Sequence, residues 1–159
     1  MIENSLSKGE EGELAVNTIA FHTYLKYWCY PNPKDEKGTK KEICDLLILF
    51  KDTAIIVSIK NYSFKGDYEK YFRSTLDKAF SQVQGAERKL FDSIGKVYIK
   101  HPDLEETYFN PLQYKNIYRL IINLHTGPLF YPGGKKTAKD KYIHIFNWFA
   151  FLKVVQELD

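Results

Sequence analysis

Apolar residues follow two contrasting patterns along the chain. In KGEEGELAVNTIAFHTYL, Lys8 to Leu25, they recur at helical spacing, with Leu14, Val16, Ile19, Ala20, Thr23 and Tyr24 forming one broad stripe. Ser7 and Glu10 stand at capping-box spacing, so this segment predicts a helix from Ser7 to Tyr27, followed by a short strand at Trp28 to Tyr30. The stretch Ile43 to Phe50 and the stretch Ala54 to Tyr62 instead carry near-continuous runs rich in Ile, Leu and Val, the residues that strands favour. Lys51-Asp52-Thr53 between them is a turn signal, which makes the pair an antiparallel hairpin. Helical spacing returns from Tyr68 to Ser93. His101 to Asn116 is irregular, with two prolines and the acids Asp103, Glu105 and Glu106, which read as solvated. A buried run at Ile117 to Leu124, a Gly-Pro loop over 127–136, a strand at Tyr142 to Phe146 and a helix from Asn147 to Leu158 complete the order.

Strands separated by helices predict an α/β architecture, a mixed central sheet flanked by helices on both faces. No linker or shift in composition divides the 159 residues, so the expectation is one domain over 1–159. A chain of this length buries roughly 68–70% of its unfolded surface, enough for a real core.

The hairpin also carries polar side chains. With Asp52 and Thr53 as its two turn residues, antiparallel pairing sets Asp45 opposite Lys60, and the two-residue period puts Ser58 on the same face. Burying a carboxylate and an ammonium costs several kcal/mol unless their geometry is good. Two readings follow: an ion pair at the rim of the sheet, or a catalytic pair. Glu13, about one turn inside the first helix, lies near the positive N-terminal end, where a carboxylate is favoured.

An acid on the first helix, an aspartate at the start of a strand and a residue-x-lysine pair late in the next strand resemble the PD-(D/E)xK nuclease superfamily, the restriction-endonuclease-like fold. Gly12-Glu13 resembles that family's first-helix glutamate. Cys44-Asp45 resembles its "PD" without the proline, and Ser58-Ile59-Lys60 its (D/E)xK with serine in the acidic slot. The segment KYFRSTLDKAFSQVQGAERKL is similar to the helix after the catalytic strand, where Lys78, Ala79 and Gln82 match a basic and glutamine pattern. The resemblance covers about residues 7 to 92 and implies a three-layer fold. It further implies a nuclease that hydrolyses phosphodiesters in DNA with Mg2+ or Mn2+, in defence or repair. Catalytic roles would fall to Glu13, Asp45, Ser58, Lys60 and Gln82, and metal ligation to Glu13, Asp45 and the Ile59 carbonyl. The departure at Ser58 supports an alternative, a non-catalytic domain of the same fold that binds nucleic acid or a partner protein.

Charge and composition permit this without demanding it. Net charge is +3, mildly basic, and the residues do not separate DNA from RNA. Lys65, Lys70, Arg73 and Lys78 interleave with Tyr62, Phe64, Tyr68 and Tyr71 after the proposed catalytic strand. Rings and cations so mixed suit bases and phosphates, or form an ordinary strand-to-helix connection. Lys34, Lys37, Lys40 and Lys41 in one loop, and Lys135, Lys136, Lys139 and Lys141 in another, read as solvated or as a grip on flanking backbone. His22, His101, His125 and His144 have no zinc spacing. Cys29 and Cys44 read as reduced, buried thiols of a cytoplasmic protein. No run of about 18 apolar residues predicts a membrane span. Cutting both strands of a duplex would favour a homodimer, and a larger multidomain protein or an operon partner is also compatible.

Overall fold

The computed structural model describes residues 6–35, 42–92, 97–125, 134–137 and 139–158. Helix α1 (Lys8–Phe21) begins as the spacing of Ser7 and Glu10 requires: the Glu10 carboxylate accepts from the Ser7 amide at 2.8 Å and the Ser7 hydroxyl accepts from the Glu10 amide. It stops short of Tyr27. Thr23 is extended (φ −123°, ψ 177°), and its hydroxyl accepts from the Leu25 amide, which opens a separate 3-10 turn, Tyr24–Tyr27. The inward face of α1 is Gly12, Val16 and Ala20. Leu14, expected on the apolar stripe, is 56% exposed, because two residues from Gly12 is about 200° around a helix.

Strands β1 (Cys29–Pro31), β2 (Lys34–Asp35), β3 (Leu46–Phe50) and β4 (Thr53–Lys60) follow, with β3 antiparallel to β4. The expected register is corrected here. Phe50 pairs with Thr53, so the turn residues are Lys51 and Asp52, with Lys51 in the left-handed region at φ 51°. The pairing Leu46 with Val57, continued by one step, brings Asp45 alongside Ser58 rather than Lys60. Asp52 also anchors the turn, its carbonyl accepting from the amides of Lys115 and Asn116 at 2.8 and 3.0 Å.

Helix α2 spans 68–92, as its periodicity predicts up to Asp92. It is α-helical at Tyr68–Phe72 and Lys78–Glu87 and π-helical at Arg73–Asp77 and Arg88–Asp92. Its buried residues Tyr71, Thr75, Leu76, Ala79, Phe80, Val83, Ala86 and Leu90 fall in rows spaced mostly by four positions. That period exceeds the 3.6 of an α-helix, and the wider π turns supply the difference. Strands β5 (Val97–Ile99), β6 (Thr107–Tyr108), β7 (Asn116–Asn123), β8 (Gly134–Lys136) and β9 (Tyr142–Asn147) lead to helix α3 (Trp148–Leu158). Three of these depart from the sequence reading. β5 lies where no element was expected, β6 in the irregular stretch and β8 in the Gly-Pro loop; each is only two or three residues long, too short for periodicity to register.

The main sheet has the order β1-β3-β4-β7-β9-β8, with β7 parallel to both β4 and β9 and the other pairs antiparallel; β2, β5 and β6 form a small second sheet. Alternation along the strands separates two cores. Leu47, Leu49, Ala54, Ile56 and Ile121 pack with Leu76, Phe80, Val83 and Ala86 of α2. Leu46, Ile48, Val57, Ile59 and Ile122 face the opposite way, with Val16 and Ala20 of α1 and Phe151 and Val155 of α3. The result is a mixed α/β arrangement in three layers, as expected. The carboxyl end of β4 emerges between the layers, within reach of both.

Candidate active site at the carboxyl end of β4

Past Val57 the β4 backbone has no paired residue on β3, and Asp45 takes that place. Its Oδ2 accepts from the Ile59 amide and from the Ser58 hydroxyl, the latter at 3.2 Å. A strand residue directs its amide and carbonyl to the same side, so the Ile59 carbonyl also faces the Asp45 edge. Serine in the acidic slot therefore fixes the aspartate instead of adding a carboxylate. Ser58 is 3% exposed and Lys60 8%.

Glu13 reaches this edge from the opposite layer because Gly12 allows it. A Cβ at Gly12 would lie 2.8 Å from Asn61 Cβ and 3.0 Å from Leu124 Cδ1, so only glycine lets α1 come this close to the end of β4. Asn61 completes the attachment, its Nδ2 donating to the Lys8 carbonyl at 2.7 Å.

Sequence reasoning missed Glu42. Oxygens of Glu13, Glu42 and Asp45 all lie within 4.8 Å of one another, the one such group of metal-ligating side chains among the described residues. The Glu42–Asp45 segment is fixed by the Ile43 amide donating to the Pro33 carbonyl at 2.9 Å and by the Asn32 amide donating to the Asp45 carbonyl at 3.2 Å. With its amide nitrogen turned toward these acceptors, Asn32 also donates to Glu42 Oε1 at 2.9 Å. The signal available beforehand was an acid three residues ahead of Asp45, at the foot of the same strand.

The electrostatics follow from the crowding. Burial, then the Asp45 and Glu13 carboxylates, push Glu42 up to about 7. Glu13 is raised by burial and by Asp45. At Lys60, burial and the neighbouring Lys78 lower the ammonium pKa and outweigh the three carboxylates that raise it. Three carboxylates with no thiolate or imidazole among them suit a hard dication such as magnesium, which also relieves their mutual repulsion.

Of the residues expected in the site, Glu13, Asp45, Ser58, Ile59 and Lys60 converge. Gln82 joins them from α2, lining with Glu42, Asp45 and Ser58 a cleft of about 510 Å³. Lys78 acts on Lys60 only through its charge. Lys65, Lys70 and Arg73 are exposed and do not line the cleft, and Arg73 pairs with Glu69. Of the loop lysines, Lys136, Lys139 and Lys141 each pair with a carboxylate, Asp140, Asp92 and Glu87 respectively. Lys37, Lys40 and Lys41 fall outside the described residues.

A second residue absent from the sequence reading is Asn123, fully buried and paired with Lys60 across β4 and β7. Its Oδ1 accepts from the Tyr71 hydroxyl at 3.0 Å and the His125 amide at 3.3 Å. Asp103, Glu105 and Glu106 are solvent-exposed, and Cys29 and Cys44 are free and buried, as expected. Among the described residues no helix is long and apolar enough to cross a membrane. Comparison with protein-family models, with curated proteins and with solved structures yields no match to this chain.

Proposed function

We propose that this protein is a restriction-endonuclease-like nuclease that hydrolyses phosphodiester bonds in DNA with magnesium or manganese. One observation carries the reading: Glu13, Glu42 and Asp45 gather within 4.8 Å at the strand end that presents Lys60. The three carboxylates and the Ile59 carbonyl would hold the cation. When bound, such a cation lowers the pKa of water and draws charge from the phosphoryl oxygens.

The chain's own groups account for the rest. The Ser58 hydroxyl and the Ile59 amide hold Asp45 Oδ2 and so fix the carboxylate that would help hold the cation. Lys60, its pKa lowered by burial, would orient or help deprotonate the attacking water and, as ammonium, stabilise charge on the phosphate. Gln82 Nε2 donates to a non-bridging oxygen from the α2 wall. Defence against foreign DNA or DNA repair are the settings that belong with this activity.

Ser58 favours a second reading, a non-catalytic domain of the same fold that binds nucleic acid or a protein, because it supplies no carboxylate. Cleavage of supercoiled plasmid and of labelled single-stranded DNA with either metal decides between them. The nuclease reading expects cleavage by wild type that Asp45→Ala and Lys60→Ala abolish. Folded wild-type protein that cuts neither substrate with either metal would overturn it.

A further inference from the structure

We infer that the cleft between the Glu42–Asp45 segment and α2 is a nucleobase subsite, holding one unpaired base of the strand whose phosphate lies at the carboxylates. This rests on the nuclease reading and names its substrate: single-stranded or locally unpaired DNA. At about 510 Å³ the cleft falls in the size range of small-molecule sites and has room for one nucleoside. Asp45 and Ser58 of the proposed cation site line it together with Lys89 of α2. Ile43 and Val83 give it apolar walls.

The floor is Gly85. A glycine inside a helix destabilises it relative to alanine, and glycines are kept where packing demands them, as at Gly12. Packing makes no such demand at Gly85, since no described residue comes within 4 Å of a Cβ placed there. The missing side chain leaves bare helix backbone facing the cleft, and a flat ring can lie directly against it between the apolar walls. Lys89, whose ammonium lies 3.8 Å from the Asp35 carboxylate, adds a hydrogen-bond donor to the lining. A base in a duplex is held between its stacked neighbours and reaches such a slot only by leaving the stack.

The same geometry supplies the test. Gly85→Leu and Gly85→Gln place helix-favouring side chains in open space over the floor and leave Glu13, Glu42, Asp45 and Lys60 untouched. The wild type and both variants are titrated, with Ca2+ replacing Mg2+, against fluorescein-labelled oligothymidylate and against an abasic deoxyoligomer of equal length. Both variants should melt no lower than wild type. They should bind oligothymidylate at least tenfold more weakly and the abasic strand unchanged. Wild type that binds the two strands equally would overturn the subsite, as would variants that bind like wild type or lose both strands alike. Cleavage of oligothymidylate with Mg2+ is scored separately. Base-dependent binding without cleavage sinks the nuclease reading and keeps the subsite; cleavage with base-independent binding does the reverse.

Discussion

Glu42→Gln tests the electrostatic core of the site without removing volume. Glu42 is raised from 4.5 to about 7 by burial and by Asp45 and Glu13, so the folded protein binds its proton more tightly than the unfolded chain does. The contribution of Glu42 to stability is therefore fully present below pH 4.5 and is lost as pH rises through about 7. For a fully buried group a shift of that size corresponds to ~3 kcal/mol; Glu42 reaches solvent, and screening reduces it to ~1 kcal/mol. In a chain of this size ~1 kcal/mol moves the melting temperature by about 2–4 °C. Glu13 contributes in the same direction. At Glu87 burial is the largest single influence and raises the pKa, but the hydrogen bonds and charges of Arg119 and Lys141 together outweigh it and lower the pKa, so its contribution changes only below 4.5, outside this window. Thermal melts in EDTA at about pH 5 and about pH 7.5 should show the wild type falling toward the higher pH and Glu42→Gln falling less. Magnesium should restore the wild type at the higher pH and do less for the variant. Parallel pH profiles for the two proteins, or a wild type indifferent to magnesium, would refute the reasoning.

Other perturbations separate chemistry from architecture. Lys60→Ala should lower cleavage by about 100-fold or more, the scale of a lost proton-transfer group, while keeping the stabilisation by magnesium in a melt. Gly12→Ala should destabilise by about 1–3 kcal/mol, because the added methyl meets Asn61 and Leu124, and chemical denaturation reads this directly. Arg119→Ala should cost about 3–5 kcal/mol, since the Arg119 side chain is 4% exposed, donates from Nε to Glu87 Oε2 at 2.5 Å, and its removal leaves a largely buried carboxylate with only Lys141. Charge at Glu87 lies away from the proposed cation site, so the melt of Arg119→Ala should respond to magnesium as the wild type does.

The sequence made long, strongly patterned elements legible and left short ones hidden. The capping box of α1, the β3–β4 hairpin and the extent of α2 follow from local spacing. The two- and three-residue strands β5, β6 and β8 exist through their partners: Tyr98 pairs with Tyr108, and Lys135 with Ile143. The hairpin turn was misplaced by one residue because Lys51, a residue with no special liking for φ > 0, occupies the left-handed position. Arg119 reads as an ordinary strand residue until α2 folds over it with Glu87.

The misplaced turn did not spoil the grouping of Asp45, Ser58 and Lys60, for a reason in strand geometry. Moving the turn by one residue shifts the pairing by two, and side chains alternate with a period of two, so every residue keeps its face. The shift did change the contacts: Asp45 lies beside Ser58, and Lys60 lies two residues further on, next to Asn123. Glu42 could not be reached by such parity. It precedes β3 and enters the site through the Asn32 and Pro33 contacts that turn the Glu42–Asp45 segment toward α1. A carboxylate at position 58 would have stood on the buried face of β4; at position 42 it approaches from the solvent edge, with less burial to overcome. The proposed cation site thus keeps three carboxylates while the strand retains a small, neutral residue that anchors one of them.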